Sequence, residues 1–121
     1  MAIFRYIVND VNQAVTFYTS SFDFRLEQSF APTMAILRRE DLELWTAGPE
    51  AAASKAMPDG AKPVSGGWSR IVIPVKDLAE TVLKLQGDGV KFRNEIVVGP
   101  NGSQILCEDP SGNPIELFQY S

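Results

Sequence analysis

At 121 residues and 45% hydrophobic content, the chain is long enough for one domain with a real core and too apolar to be disordered. Its 11 Lys and Arg against 15 Asp and Glu leave a net charge of -4, so neither Coulombic attraction nor counterion release favours a nucleic acid or an anionic membrane. The complete absence of histidine excludes Ser-His-Asp and Cys-His catalysis and every His-ligated zinc, copper or non-haem iron site.

In chain order, Ile3 to Val8 reads as a strand, and Asp10 caps the helix that follows, with Gln13 at the capping-box position. Val11, Ala14, Val15 and Tyr18 then fall on one helical stripe, which predicts a face packed on a sheet, and the helix ends near Ser21. Asp23 to Phe30, Met34 to Arg38 and Leu42 to Trp45 read as three strands with short connections. The segment from Ala47 to Gly67 breaks the pattern with its Gly and Pro residues. It reads either as a linker or as a loop covering a cleft, with at most a weak helical turn or two between Ala51 and Met57.

Trp68 to Val75 is the next strand, and Asp77 caps a second helix with Glu80 in the capping-box position. Leu78, Val82 and Leu85 keep helical spacing until Gly87-Asp88-Gly89 stops it. Val90 to Val98, Gln104 to Glu108 and Ile115 to Tyr120 follow as strands, with a hairpin turn at 99–102. Asp109-Pro110-Ser111-Gly112-Asn113-Pro114 gathers turn formers ahead of the last strand. The single cysteine, Cys107, cannot form an internal disulfide and reads as a small buried hydrophobe in a reducing compartment. Met1 leads straight into a strand and no apolar run is long enough to span a bilayer, so a cytoplasmic protein without a signal peptide is expected.

The chain reads as one βαβββ module written twice. Leu42-Glu43-Leu44-Trp45 and Ile115-Glu116-Leu117-Phe118 each set a Glu and an aromatic on one strand face. Strand, Asp and amphipathic helix recur at Asp10 and at Asp77. The expected division is a single domain over 1–121, with the first module at 1–47, the linker or covering loop at 48–67 and the second module at 68–121.

These features resemble the vicinal oxygen chelate superfamily, which holds glyoxalase I, extradiol dioxygenases, fosfomycin-resistance transferases and bleomycin-resistance-type binding proteins. The resemblance rests on the starts at 8–18 and 75–78 and on the ending Asp109 to Leu117. It implies an α+β fold in which two βαβββ modules build an eight-stranded curved sheet cup. In metal-using members the ligands stand near the start of each module's first strand, usually His or Gln, and on each module's last strand as Glu. By motif spacing those places fall here on Ile3, Arg70, Glu43 and Glu116.

Ile3 cannot coordinate, and a guanidinium repels a divalent ion by several kcal/mol at ~4 Å even at an effective dielectric near 20. A site without metal or cofactor is therefore expected, with Arg70 paired to Glu116 or Glu43. Strand alternation sends Arg5, Ile7, Glu43, Trp45, Arg70, Val72, Glu116, Phe118 and Tyr120 to the concave wall beside Ile3, with Trp68 at its edge. Such a wall suits a small-molecule pocket, and its aromatics could equally fill a closed core.

The resemblance then implies a metal-independent binding protein of the bleomycin-resistance type for a planar, aromatic or amphipathic antibiotic-like molecule. The alternative is a glyoxalase-like or dioxygenase-like lyase or isomerase in which Glu43 or Glu116 is the base and Arg70 steadies an enolate; a third reading is a dimeric interaction module without a ligand. Short two-module chains of this kind imply a homodimer.

Overall fold

A computed structural model describes residues 1–121, which divide into two compact units, Met1–Gly66 with Pro110–Asn113 and Gly67–Asp109 with Pro114–Ser121. The first unit contains β1 (Ala2–Ile7), α1 (Val11–Ser21), β2 (Arg25–Phe30), β3 (Met34–Arg39) and β4 (Leu42–Ala47) in a four-stranded sheet of order β1-β4-β3-β2. β1 and β4 run parallel, with Ile3 opposite Glu43 and Arg5 opposite Trp45; the other pairs are antiparallel.

Alternation gives this sheet two unlike faces. Tyr6, Ala35, Leu37 and Leu44 are buried with Val11, Ala14 and Tyr18 of α1. Tyr6 and Tyr18 stack there at 6.3 Å. The opposite face carries Ile3, Arg5, Glu43 and Trp45 and stays partly open. The helix begins where the capping pattern predicts, since Asp10 Oδ1 accepts the Gln13 N–H at 3.0 Å. β2 starts later than the expected Asp23, because Asp23 takes a left-handed φ of 58° as the chain leaves the helix.

Residues 48–66 fold onto the first unit. Gly48 donates to the Thr33 carbonyl at 2.8 Å, and a Cβ there would stand 2.6 Å from the Pro32 carbonyl oxygen, so the close approach requires glycine. Ala52–Ser54 make one 3-10 turn, closed by the buried Ser54 hydroxyl donating to the Gly48 carbonyl at 2.7 Å. Asn113 completes the unit, donating to the Ile7 carbonyl at 2.8 Å and accepting from the Gly66 N–H at 2.9 Å.

The second unit contains β5 (Ile71–Pro74), α2 (Leu78–Gly87), β6 (Lys91–Phe92), β7 (Val97–Gly99), β8 (Gly102–Glu108) and β9 (Pro114–Tyr120). Its five strands run β5-β9-β8-β6, with β7 also on β8, which is the first unit's topology repeated. Ile71, Ile73, Ile105, Cys107, Ile115 and Leu117 are buried, as are Leu78, Val82 and Leu85 of α2. Asp77 Oδ1 caps α2 by accepting from the Glu80 N–H at 3.0 Å.

One expected strand is corrected. Val90 to Val98 is interrupted after Phe92: Asn94 Oδ1 takes the Leu106 N–H at 2.9 Å in place of a backbone carbonyl, and the ladder resumes only at Val97. The chain accordingly has nine strands, in sheets of four and five, where eight were expected. The fifth strand is also shorter than expected, starting at Ile71 and not at Trp68.

Candidate functional site

On the open face of the first unit, three expected residues converge. The Arg5 guanidinium lies over the Trp45 ring at 5.0 Å, and the Trp45 Nε1–H donates to Glu43 Oε2 at 2.8 Å. Strand register produces this trio, because Arg5 stands opposite Trp45 on β4 and Glu43 shares its face two residues earlier. Ile3 is 54% exposed beside them. Ile7, further along β1, helps line a separate pocket of about 240 Å³ with Val8, Asn9, Pro49, Ser54, Lys62, Pro63, Val64 and Ser65.

The second unit holds the remaining expected residues. Glu116 is only 8% exposed, and its Oε1 accepts from Arg70 Nε at 3.0 Å and Nη2 at 2.8 Å. Arg70 Nη1 also donates to the Trp68 carbonyl at 3.2 Å. The ladder sets Val72, not Arg70, directly opposite Glu116, so the guanidinium reaches its partner from just before β5. Phe118 and Tyr120 pack edge to face at 5.0 Å, with Tyr120 71% exposed and Val72 exposed near the strand edge.

Sequence reasoning missed a further cluster in this unit. Arg93 Nε donates to Glu108 Oε2 at 2.7 Å, its Nη1 donates to the Gly67 carbonyl at 2.7 Å, and its guanidinium lies 4.7 Å from the Trp68 ring centroid. Lys91 Nζ is 3.7 Å from Glu108 Oε1. The signal that would have found the cluster is charge alternation: Lys91 and Arg93 flank Phe92, Arg93 just beyond the end of β6, and Glu108 stands opposite Lys91 on β8.

Cys107 is fully buried, and burial pushes its thiol up from the ordinary 9.0 to about 12, with the nearby Asp109 and Glu108 charges adding to the rise. It is a core residue and not a nucleophile.

The sequence matches the Glyoxalase family, the glyoxalase/bleomycin resistance protein/dioxygenase superfamily, over residues 1–117, and the chain belongs to it. No curated protein matches the chain. Among solved structures it is similar to a member of the same superfamily from Sphaerobacter thermophilus DSM 20745, at 21% identity and a TM-score of 0.77, covering 98% of this chain and 95% of that one. It is similar to TnmS3, an antibiotic binding protein from Streptomyces sp. CB03234, at 24% identity and a TM-score of 0.72, covering 98% and 93%. It is also similar to lactoylglutathione lyase from Agrobacterium tumefaciens, at 17% identity and a TM-score of 0.75, covering 98% and 92%. No helix is long and apolar enough to cross a membrane.

The metal that some relatives use can be tested against the residues present. Ile3 offers no donor atom, Arg70 sets a permanent cation 2.8 Å from Glu116, and nowhere do three His, Cys, Asp or Glu gather. Glu43 has Oε2 occupied by the indole N–H. This donor set does not fit a divalent ion.

Proposed function

We propose that this chain is a metal-independent binding protein for a planar, aromatic or amphipathic small molecule, held on the open faces of its sheets without being transformed. The observation that carries the reading is the Arg70–Glu116 pair: the most buried carboxylate among the expected site residues is engaged by a guanidinium, while in the same unit Trp68 and Tyr120 remain 69% and 71% exposed. A carboxylate so engaged is poorly placed to take a proton from a substrate, whereas exposed rings next to cations suit flat ligands. The ligand-binding residues in this reading are Arg5, Ile7, Glu43 and Trp45 on the first unit and Trp68, Arg70, Val72, Glu116, Phe118 and Tyr120 on the second. The similarity to an antibiotic binding protein supports the same class of ligand. The reading includes a homodimer in the cytoplasm, checked by the mass of the protein in solution.

The test is titration of intrinsic tryptophan fluorescence with a panel of flat aromatic molecules, alongside metal analysis of the purified protein. Saturable quenching that is lost when Trp45 and Trp68 are both changed to Phe, with no stoichiometric metal, is the expected result. Quenching by none of the panel, together with a bound divalent ion that Glu116→Gln releases, would overturn it.

A further inference from the structure

A tryptophan 69% exposed in the segment before β5 is ordinarily a mobile side chain, yet Trp68 is held at its backbone and over one face of its ring. The carbonyls of Gly67 and of Trp68 itself each accept from a guanidinium, Arg93 Nη1 at 2.7 Å and Arg70 Nη1 at 3.2 Å. One face of the ring is covered by Arg93 at 4.7 Å. Arg93 is itself fixed, by its backbone N–H donating to the Leu106 carbonyl at 2.9 Å and by its Nε donating to Glu108 at 2.7 Å. The Arg93 and Glu108 side chains retain only 17% and 15% of their exposure, so this base is far less accessible than the ring it carries.

We propose that Arg93, oriented by Glu108, is a positioning residue that holds Trp68 as a rigid stacking platform and biases that platform towards flat molecules bearing negative charge. The inference rests on the binding reading above and names the class of ligand for it. Two physical terms point the same way. A planar guanidinium held against one face fixes the ring without loss of its other face, so a ligand stacks at little further entropic cost. Charge supplies the direction: the charge that lies over the ring is the Arg93 guanidinium, 4.7 Å from its centroid, and Lys91 Nζ adds a second cation 3.7 Å from the Glu108 carboxylate that orients it. An anionic ring on Trp68 meets a favourable field, and a cationic ring of the same shape meets a repulsive one.

The experiment has two arms. In a Trp45→Phe background, where emission reports Trp68 alone, acrylamide quenching without any ligand should rise by roughly 1.4-fold on Arg93→Gln, because a residue already 69% exposed gains its covered ring face. Arg93→Lys, which keeps the charge but loses the planar fork, should behave like the Gln variant, and Glu108→Gln should give an intermediate rise. A Trp68 no more accessible in any of the three, at an unchanged melting temperature, overturns the positioning role.

In the unaltered chain, the dissociation constants of anthracene carboxylate and proflavine are read from the probes' own fluorescence. Arg93→Gln should weaken the anion about tenfold and leave the cation unchanged or tighter. Equal weakening of both, or of neither, overturns the charge preference. If neither probe binds the unaltered chain, the binding reading fails and the charge preference with it, while the ligand-free arm still decides whether Arg93 positions Trp68.

Discussion

The two units repeat one topology and treat the same motif differently. In the first, Glu43 lies opposite Ile3 across the β1–β4 ladder and takes its hydrogen bond from a neutral indole on its own strand. In the second, Glu116 lies opposite Val72 and takes two bonds from the Arg70 guanidinium. Counting back from the capping Asp residues makes Ile3 and Arg70 equivalent, but the ladders do not: relative to the Glu, the first strand of the second unit is set two residues along. A repeat read by motif thus keeps the elements in order while a two-residue shift of register, which preserves the face of every side chain, redistributes their partners. The first unit ends with a half-buried Glu beside an arginine-capped Trp, and the second with a partly buried ion pair on a sheet that also carries exposed rings.

Breaking the ion pair should separate the units most. Arg70→Ala leaves Glu116 buried without its cation, and because the guanidinium is partly exposed the cost is taken at about 2 kcal/mol, below that of a fully buried pair. For a chain of this length that is roughly an 8 °C fall in Tm by calorimetry. Adding Glu116→Gln to the Arg70→Ala variant should recover most of the loss by removing the orphaned charge. The matched change in the first unit, Glu43→Gln, keeps an oxygen to accept from Trp45 and should cost less than about 0.5 kcal/mol. Similar losses from Arg70→Ala and Glu43→Gln would mean that the two carboxylates are equivalent after all.

A second contrast lies on the helix-facing side. The ladder position that holds Arg39 opposite Leu42 in the first unit holds Cys107 opposite Ile115 in the second. Arg39 is half-buried and its Nε donates to the Phe22 carbonyl at 3.1 Å, whereas Cys107 is fully buried with its thiol pushed up to about 12. Between 9.0 and 12 the unfolded chain releases that proton and the folded chain keeps it. The unfolded state then binds fewer protons, so this thiol's contribution to stability is intact below 9.0 and declines as pH rises through the window, by about 1.4 kcal/mol per unit. Urea melts at pH 8 and pH 10 should show the unaltered chain losing more stability than Cys107→Ala; equal losses would show that the thiol ionises freely in the fold.

Much of this arrangement was legible before any coordinates, and the reason is local. Asp10 with Gln13 and Asp77 with Glu80 are short-range devices, and both helices start where those pairs put them. Alternation likewise sent Arg5, Glu43 and Trp45 to one face, because a strand's period is independent of what packs on it. What escaped depends on partners distant in sequence. The break after Phe92 exists because the Asn94 side chain substitutes for a backbone acceptor, and Asn113 serves residues some fifty and a hundred positions away, Gly66 and Ile7, by its amide alone. Neither leaves a periodic trace. Arg93 escaped for the same reason: its side chain meets Gly67, Trp68 and Glu108, which come from two separate stretches of chain.

The last contrast has opposite signs in the two copies. Thr46 and Gln119 are matched residues, each three positions after the motif Glu and each facing the helix side of its sheet. Gln119 Oε1 accepts the Leu78 N–H at 2.7 Å, satisfying one of the donors that the first turn of α2 leaves over. Thr46 is fully buried, and its hydroxyl has no hydrogen-bond partner. A buried polar group with a partner stabilises, and one without it costs desolvation that nothing offsets. Gln119→Leu should therefore destabilise by about 1 kcal/mol by stranding the Leu78 N–H, whereas the near-isosteric Thr46→Val should stabilise by roughly 0.5–1 kcal/mol. Chemical denaturation of the two variants decides the matter, since a loss on Thr46→Val would mean that its hydroxyl is hydrogen-bonded in solution and that the two copies agree here.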